Sequence, residues 1–189
     1  ALQQFEAMKE IAFIEGPDKD LPSFKGATLQ TLHEQLRQEI WPRHNATEYD
    51  EFVELKAHRL DINGLTELVK NKECVEFGCG NGAFTLSMLL RGAKKVTGLD
   101  FGTKSVAFAS EQAHRLGLSD RATFFVRSVL DSGLPDASCD FAVSNGVFHH
   151  LAEEDMPKAL CEVARVLRPG GWLWYYIDGK GAISMDLWD

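Results

Sequence analysis

The sequence predicts an open, mostly parallel α/β sheet with helices on both faces, preceded by a helical cap. Three observations carry that expectation. From Glu73 onward, short apolar runs alternate with helical stretches, the rhythm of strand–helix–strand units. The first run ends in Val75-Glu76-Phe77-Gly78-Cys79-Gly80-Asn81-Gly82, an apolar strand turning through three alternating glycines into a helix. The second ends in Gly98-Leu99-Asp100, which sets an acid 18 residues beyond Gly82.

Residues 1–70 read as the cap. Phe5, Met8, Ile11 and Ala12 recur at helical spacing within 4–14, and Gly16-Pro17 closes that run. Leu29, Leu32, Leu36 and Ile40 share one face of 28–41, which Pro42 follows. A third helical region covers 48–69, with a break expected at Asn63-Gly64. Such a cap either lids a ligand site or forms a plain packing layer. Residues 71–189 form the core, with strands expected at 74–77, 95–99, 122–127, 141–144 and 172–177. Helices are expected at 83–91, 104–116 and 156–166. Phe52 and Leu55 read as core, as do Trp172, Trp174, Tyr175 and Tyr176 in the last strand.

At 189 residues the chain can bury a proper core as one domain. A net charge of −8 weighs against nucleic acid as main partner, since a phosphate backbone needs clustered Lys and Arg. No apolar run approaches the roughly 20 residues of a membrane helix, and the N-terminus lacks a signal-peptide pattern. Cys74, Cys79, Cys139 and Cys161 show no Cys-x-x-Cys pairing, which suits reduced thiols in a cytoplasmic protein. The histidines show no metal-ligand spacing, so no metal is expected. The chain starts without methionine and stops soon after its last strand; both ends look cut.

The glycine run carries the chemistry. Glycine opens backbone shapes closed to other residues and lets a ligand approach the main chain. A helix N-terminus adds unpaired N–H donors and partial positive charge. Glu76 beside it does not fit a phosphate-only pocket, so the ligand also carries a positive group. S-adenosylmethionine has that mixture of carboxylate, ammonium and sulfonium. Asp100 can accept bonds from both ribose hydroxyls, and Phe101 can cover an adenine face; an ordinary helix-start acid is the plain alternative. A nicotinamide-dependent oxidoreductase is the main rival, because residues 78–83 can be forced onto G-x-G-x-x-A. Glu76 and the third glycine, Gly82, count against it.

The run Glu76-x-Gly78-x-Gly80-x-Gly82 resembles the first motif of the Rossmann-like (class I) S-adenosylmethionine-dependent methyltransferases. Further matches follow in order: Gly98-Leu99-Asp100, Leu134 to Phe141, Val143 to Leu151, and Arg165-Val166-Leu167-Arg168-Pro169-Gly170-Gly171. The resemblance spans roughly 73–177 and looks most like the branch acting on small molecules. It implies that Glu76, Gly78, Cys79, Gly80, Asn81 and Gly82 receive the methionine end of the cofactor. Asp100 would hold the ribose, with Phe101 on adenine. Ser128 and Val129 would meet the adenine edge, although many members have Asp where this chain has Ser128. Asn145 would face the reacting methyl.

His149 and His150 stand beside that point as candidate general bases; packing and turn capping are their alternative roles. Tyr49 and Lys56 could reach the cofactor carboxylate from a lid that includes Trp41, Arg43 and His44. The expected activity is methyl transfer to a small-molecule O, N or C nucleophile, and a non-catalytic cofactor-binding module is a second rival. The family's sheet normally adds a sixth and an antiparallel seventh strand, for which 178–189 is too short. A missing C-terminal segment or a partner chain is therefore expected.

Overall fold

The computed structural model describes residues 44–177. The helices expected over 4–14 and 28–41, with Trp41 and Arg43, lie outside them. Helix α1 (Ala46–Ile62) opens on a capping box. The Asn45 side chain accepts from the Glu48 N–H while Glu48 accepts from the Asn45 N–H, both at 3.0 Å, so donors of the first turn find partners. The helix stops at Asn63-Gly64, where Gly64 takes φ +68°. The expected break is therefore present, and one turn, α2 (Thr66–Val69), leads into the sheet.

Strands and helices then alternate as the sequence predicts: β1 (Glu73–Phe77), α3 (Ala83–Leu90), β2 (Lys95–Asp100), α4 (Thr103–Arg115) and β3 (Ala122–Val126). They continue with β4 (Cys139–Asn145), α5 (Met156–Val166) and β5 (Leu167–Tyr176). All pairings are parallel, in the order β3-β2-β1-β4-β5. Winding reverses between β1 and β4, which opens a crevice at the carboxyl ends of the strands.

Alternation along the strands feeds two cores. Cys74, Phe141 and Val143 pack with Tyr49 and Val53 of α1 and Phe84 of α3. Val75, Phe77 and Ala142 face the other way, toward Ala159, Val163 and Val166 of α5. Tyr49, Val53, Ala57 and Leu60 recur every three or four residues along α1 and are all buried. Among the described residues no helix is long and apolar enough to cross a membrane.

Two expectations about packing need correction. Leu55 is 60% exposed, because it lies off the buried stripe of α1. The aromatics of β5 are not core either: Trp172 is 62%, Tyr175 49% and Tyr176 40% exposed. Among the described residues β5 is the last strand of the sheet, so its side chains lack a neighbouring strand's cover. Trp174 is the partial exception, stacking on Phe84 at 5.8 Å. β5 also starts at Leu167 rather than 172. Gly170 at φ +80° and a register shift opposite Cys139–Phe141 carry Arg168 to Gly171 into the strand instead of a turn.

At the amino edge of the sheet, charges meet charges. Glu73 accepts from Arg168 at 2.7 Å and pairs with Lys94 at 3.3 Å. Asp140 pairs with Arg168 at 3.0 Å and accepts the Glu73 N–H at 2.9 Å.

Candidate functional site

The carboxyl edge is built differently. Leaving β1, the chain folds Gly78, Gly80 and Gly82 into positive φ of 80°, 52° and 78°. A Cβ at Gly78 would lie 2.3 Å from Val147 Cγ2, so the loop after β4 rests directly on this backbone. The N–H groups of Gly78 and Cys79 both donate to the Leu99 carbonyl, at 2.7 and 2.8 Å. That ties the turn to the end of β2. Asp100 completes the tie: its Oδ2 accepts the Gly80 N–H at 2.9 Å and its Oδ1 accepts the Gly102 N–H at 2.8 Å.

Glu76 sits one layer deeper, 2% exposed. Burial pushes its carboxyl up to about 8, against the opposing pull of the Thr85 hydroxyl and of Lys56. Thr85 Oγ1 donates to Glu76 Oε2 at 2.5 Å. Among the described residues no cation forms an ion pair with this acid. Thr85 was missed in the sequence, where it is one of two hydroxyls, with Ser87, in the mostly apolar run Ala83 to Leu90. Cys79 is also buried, and burial raises its thiol well above the ordinary range, with Glu76 and Asp100 adding to the shift. It fills the loop as a neutral side chain.

Other predicted residues take up four positions around this turn. Phe101, 44% exposed, directly follows Asp100. Ser128 and Val129 lie close by, since the Arg127 N–H donates to the Asp100 carbonyl at 2.9 Å. Ser128 Oγ accepts the Leu130 N–H at 3.1 Å, and Val129 is buried against the α5 core. Asn145 ends β4 opposite Tyr176. His149 and His150 follow in a short 3₁₀ turn, Phe148–His150, with ring centroids 3.9 Å apart.

Two buried polar atoms here have no hydrogen bond among the described residues, Asn81 Nδ2 and Asn145 Oδ1; Ser144 Oγ is a third, on the opposite face of β4. Buried polar groups are normally satisfied, so unpaired groups beside the glycine turn are consistent with a place for a ligand. Ser144 was not singled out in the sequence, because its alternation in β4 reads as core. Tyr49 requires a correction. Its hydroxyl donates to the Asn81 carbonyl at 2.8 Å, so it fastens α1 to the glycine loop and has no proton to offer a ligand. Burial raises that hydroxyl far above its ordinary range.

Comparison with known proteins agrees with this geometry. The family described as methyltransferase domain matches residues 75–175, more than half of the chain. The ubiquinone biosynthesis O-methyltransferase of Chromobacterium violaceum is 26% identical over 75% of this chain and 58% of its own length. The ribosomal protein L11 methyltransferase of Shewanella woodyi is 31% identical over 54% of this chain and 32% of its own. Among solved structures, the [4+2]-cyclase SpnF superposes with a TM-score of 0.56 at 28% identity, over 70% of this chain and 47% of that one. The chain thus spans between 32% and 58% of the length of these relatives. With the glycine turn, the acid at the tip of β2 and the β3-β2-β1-β4-β5 sheet in place, the chain belongs to the class I S-adenosylmethionine-dependent methyltransferase family.

Proposed function

We propose that this protein binds S-adenosylmethionine at the carboxyl edge of its sheet and transfers the methyl group to a small-molecule O, N or C nucleophile. The observation that carries the reading is Glu76, a carboxyl fully buried beside the glycine turn with no ion pair among the described residues. A ligand ammonium supplies the missing positive partner, which a dinucleotide pyrophosphate does not. Asp100 holds the ribose hydroxyls, Phe101 covers the adenine, and Ser128 with Val129 borders its edge. The backbone of Gly78, Cys79, Gly80, Asn81 and Gly82 lets the methionine end approach closely. Asn145 faces the reacting carbon.

The cofactor supplies an activated methyl group on a sulfonium. The protein's task is then to align the acceptor in line, to exclude water and to accept a proton. His149 or His150 takes that proton from a hydroxyl or amine acceptor. Four free cysteines suit a cytoplasmic setting.

A second reading is that the fold keeps its cofactor without methyl transfer, since SpnF, 28% identical over 70% of this chain, is titled a [4+2]-cyclase. Calorimetry decides the cofactor: saturable S-adenosylhomocysteine binding with none of NADH supports the assignment, and the reverse pattern ends it. His150→Ala keeps that affinity and loses turnover if the imidazole is the base. Cofactor binding without turnover across a broad acceptor panel would favour the second reading.

A further inference from the structure

One stripe of α1 differs from the other partly buried arginines among the described residues. The partly buried arginines elsewhere have carboxylates: Arg91 pairs with Asp61, Arg115 with Asp50, and Arg165 with Glu162 and Asp136. Arg168 has two, Glu73 and Asp140. Lys56 and Arg59, one helical turn apart on α1 and both half-buried, have none among the described residues. This occurs in a chain whose net charge is −8, so acids are not scarce. Both cations instead lie on aromatic faces. Lys56 Nζ is 4.5 Å from the Phe52 ring centroid, and the Arg59 guanidinium is 4.5 Å from that of Tyr176 and 5.7 Å from that of Trp174.

Their place in the fold is the mouth of the site. Asn145 and Tyr176 are register partners at the carboxyl ends of β4 and β5. Alternation sets Glu76, Asn145 and Tyr176 on the face of the sheet that α1 and α3 cover. Lys56 is close enough to Glu76 to oppose its rise, and Lys56 is itself driven down by burial and then by Arg59. Two like charges in partial burial repel and are incompletely solvated, a state that an anion relieves.

We propose that Lys56 and Arg59 form a two-cation subsite that takes the carboxylate or phosphate of an anionic methyl acceptor, with the Tyr176 ring as its platform. The inference rests on the methyl-donor reading above and names the acceptor's class. Arg59 offers a planar fork to a carboxylate or phosphate, and Lys56 adds a point charge toward Asn145 and the donor. The acceptor's nucleophile then faces His149 and His150.

The test uses the full chain, with and without saturating S-adenosylhomocysteine. Benzoate, inorganic phosphate and neutral benzamide are each titrated by calorimetry. We expect one anion to bind saturably below about 10 mM and roughly tenfold tighter than benzamide. Arg59→Met and Lys56→Met keep the aliphatic stems and should each loosen that anion about tenfold while leaving S-adenosylhomocysteine affinity within about threefold. Arg59→Lys should recover part of the loss. Which anion binds separates carboxylate from phosphate acceptors. Failure of both anions to bind the wild type overturns the subsite. So does a Lys56→Met variant that loosens S-adenosylhomocysteine alone, because Lys56 would then serve the donor. S-adenosylhomocysteine failing to bind the wild type removes the donor reading and leaves the anion titrations to be read by themselves.

Discussion

Strand β1 carries two glutamates three residues apart, at opposite ends of the sheet and in opposite circumstances. Glu73, at the amino edge, accepts from Arg168 and Lys94, which hold its carboxyl below the usual range. Glu76, at the carboxyl edge, has Thr85 and no ion pair among the described residues, and burial holds its carboxyl near 8. The same contrast runs along both edges. Amino-edge charges are neutralised within the protein, as expected of groups that only support the fold. At the carboxyl edge, by contrast, Glu76 has no ion pair and Asn81 Nδ2 and Asn145 Oδ1 no hydrogen bond among the described residues, as expected of groups awaiting a ligand.

The largest effect expected from breaking this contrast is steric. Gly78 and Gly170 share φ +80°, but a Cβ at Gly78 would strike Val147 whereas one at Gly170 meets nothing within 4 Å. Gly170→Ala should cost only the left-handed strain, about 1–2 kcal/mol. Gly78→Ala adds an overpacking penalty, for a total of about 3 kcal/mol or more, and should abolish S-adenosylhomocysteine binding. Equal costs in denaturant titrations would remove the special packing of the turn.

Next in size is Asp100→Ala, which frees the Gly80 and Gly102 N–H groups and deletes the proposed ribose acceptor. Calorimetry should show S-adenosylhomocysteine binding weakened by on the order of 1–3 kcal/mol. Unchanged affinity would take Asp100 out of the site.

A pH series separates the two glutamates. Glu76 ionises near 4.5 when unfolded and near 8 when folded, so the folded state keeps the extra proton between those values. Stability of the ligand-free protein should therefore fall as pH rises from about 4.5 to 8. Glu76→Gln should flatten that slope, and a melting-temperature profile unchanged by the substitution would contradict the buried-acid description. Glu73 has the opposite sign. Its contribution is present above the unfolded value and fades in acid. The smallest effect belongs to Arg168→Met, which should leave S-adenosylhomocysteine affinity untouched and barely move the melting temperature.

Where sequence and structure agree, the signal was local. Gly64 marks the end of α1 by its own backbone, and the alternation around Val75 fixes which side chains of β1 face each core. Where they part, the determinant was the neighbourhood. Trp172, Tyr175 and Tyr176 have the alternation of a buried strand, yet nothing in that pattern records that β5 is the last described strand of the sheet. Thr85 and Tyr49 acquire their roles only because α3 and α1 bring them to Glu76 and Asn81, the latter contact spanning 32 residues of chain. The glycine turn and Asp100 were legible because their spacing is itself the geometry. The Lys56–Arg59 stripe was not, because it is marked by the lack of a carboxylate partner among the described residues, which spacing does not record.

The bond from Tyr49 to the Asn81 carbonyl bears on where the working unit begins. The family match starts at residue 75, and a fragment cut to that boundary would keep four described strands whole and trim only Glu73 and Cys74 from β1. It would also strip α1 from a core that includes Tyr49, Val53 and Leu60, and leave the Asn81 carbonyl of the glycine turn without its donor. Such a fragment would inherit the motif and lose the strut that tensions it. The smallest competent piece should therefore reach back at least to Asn45, whose side chain starts that helix.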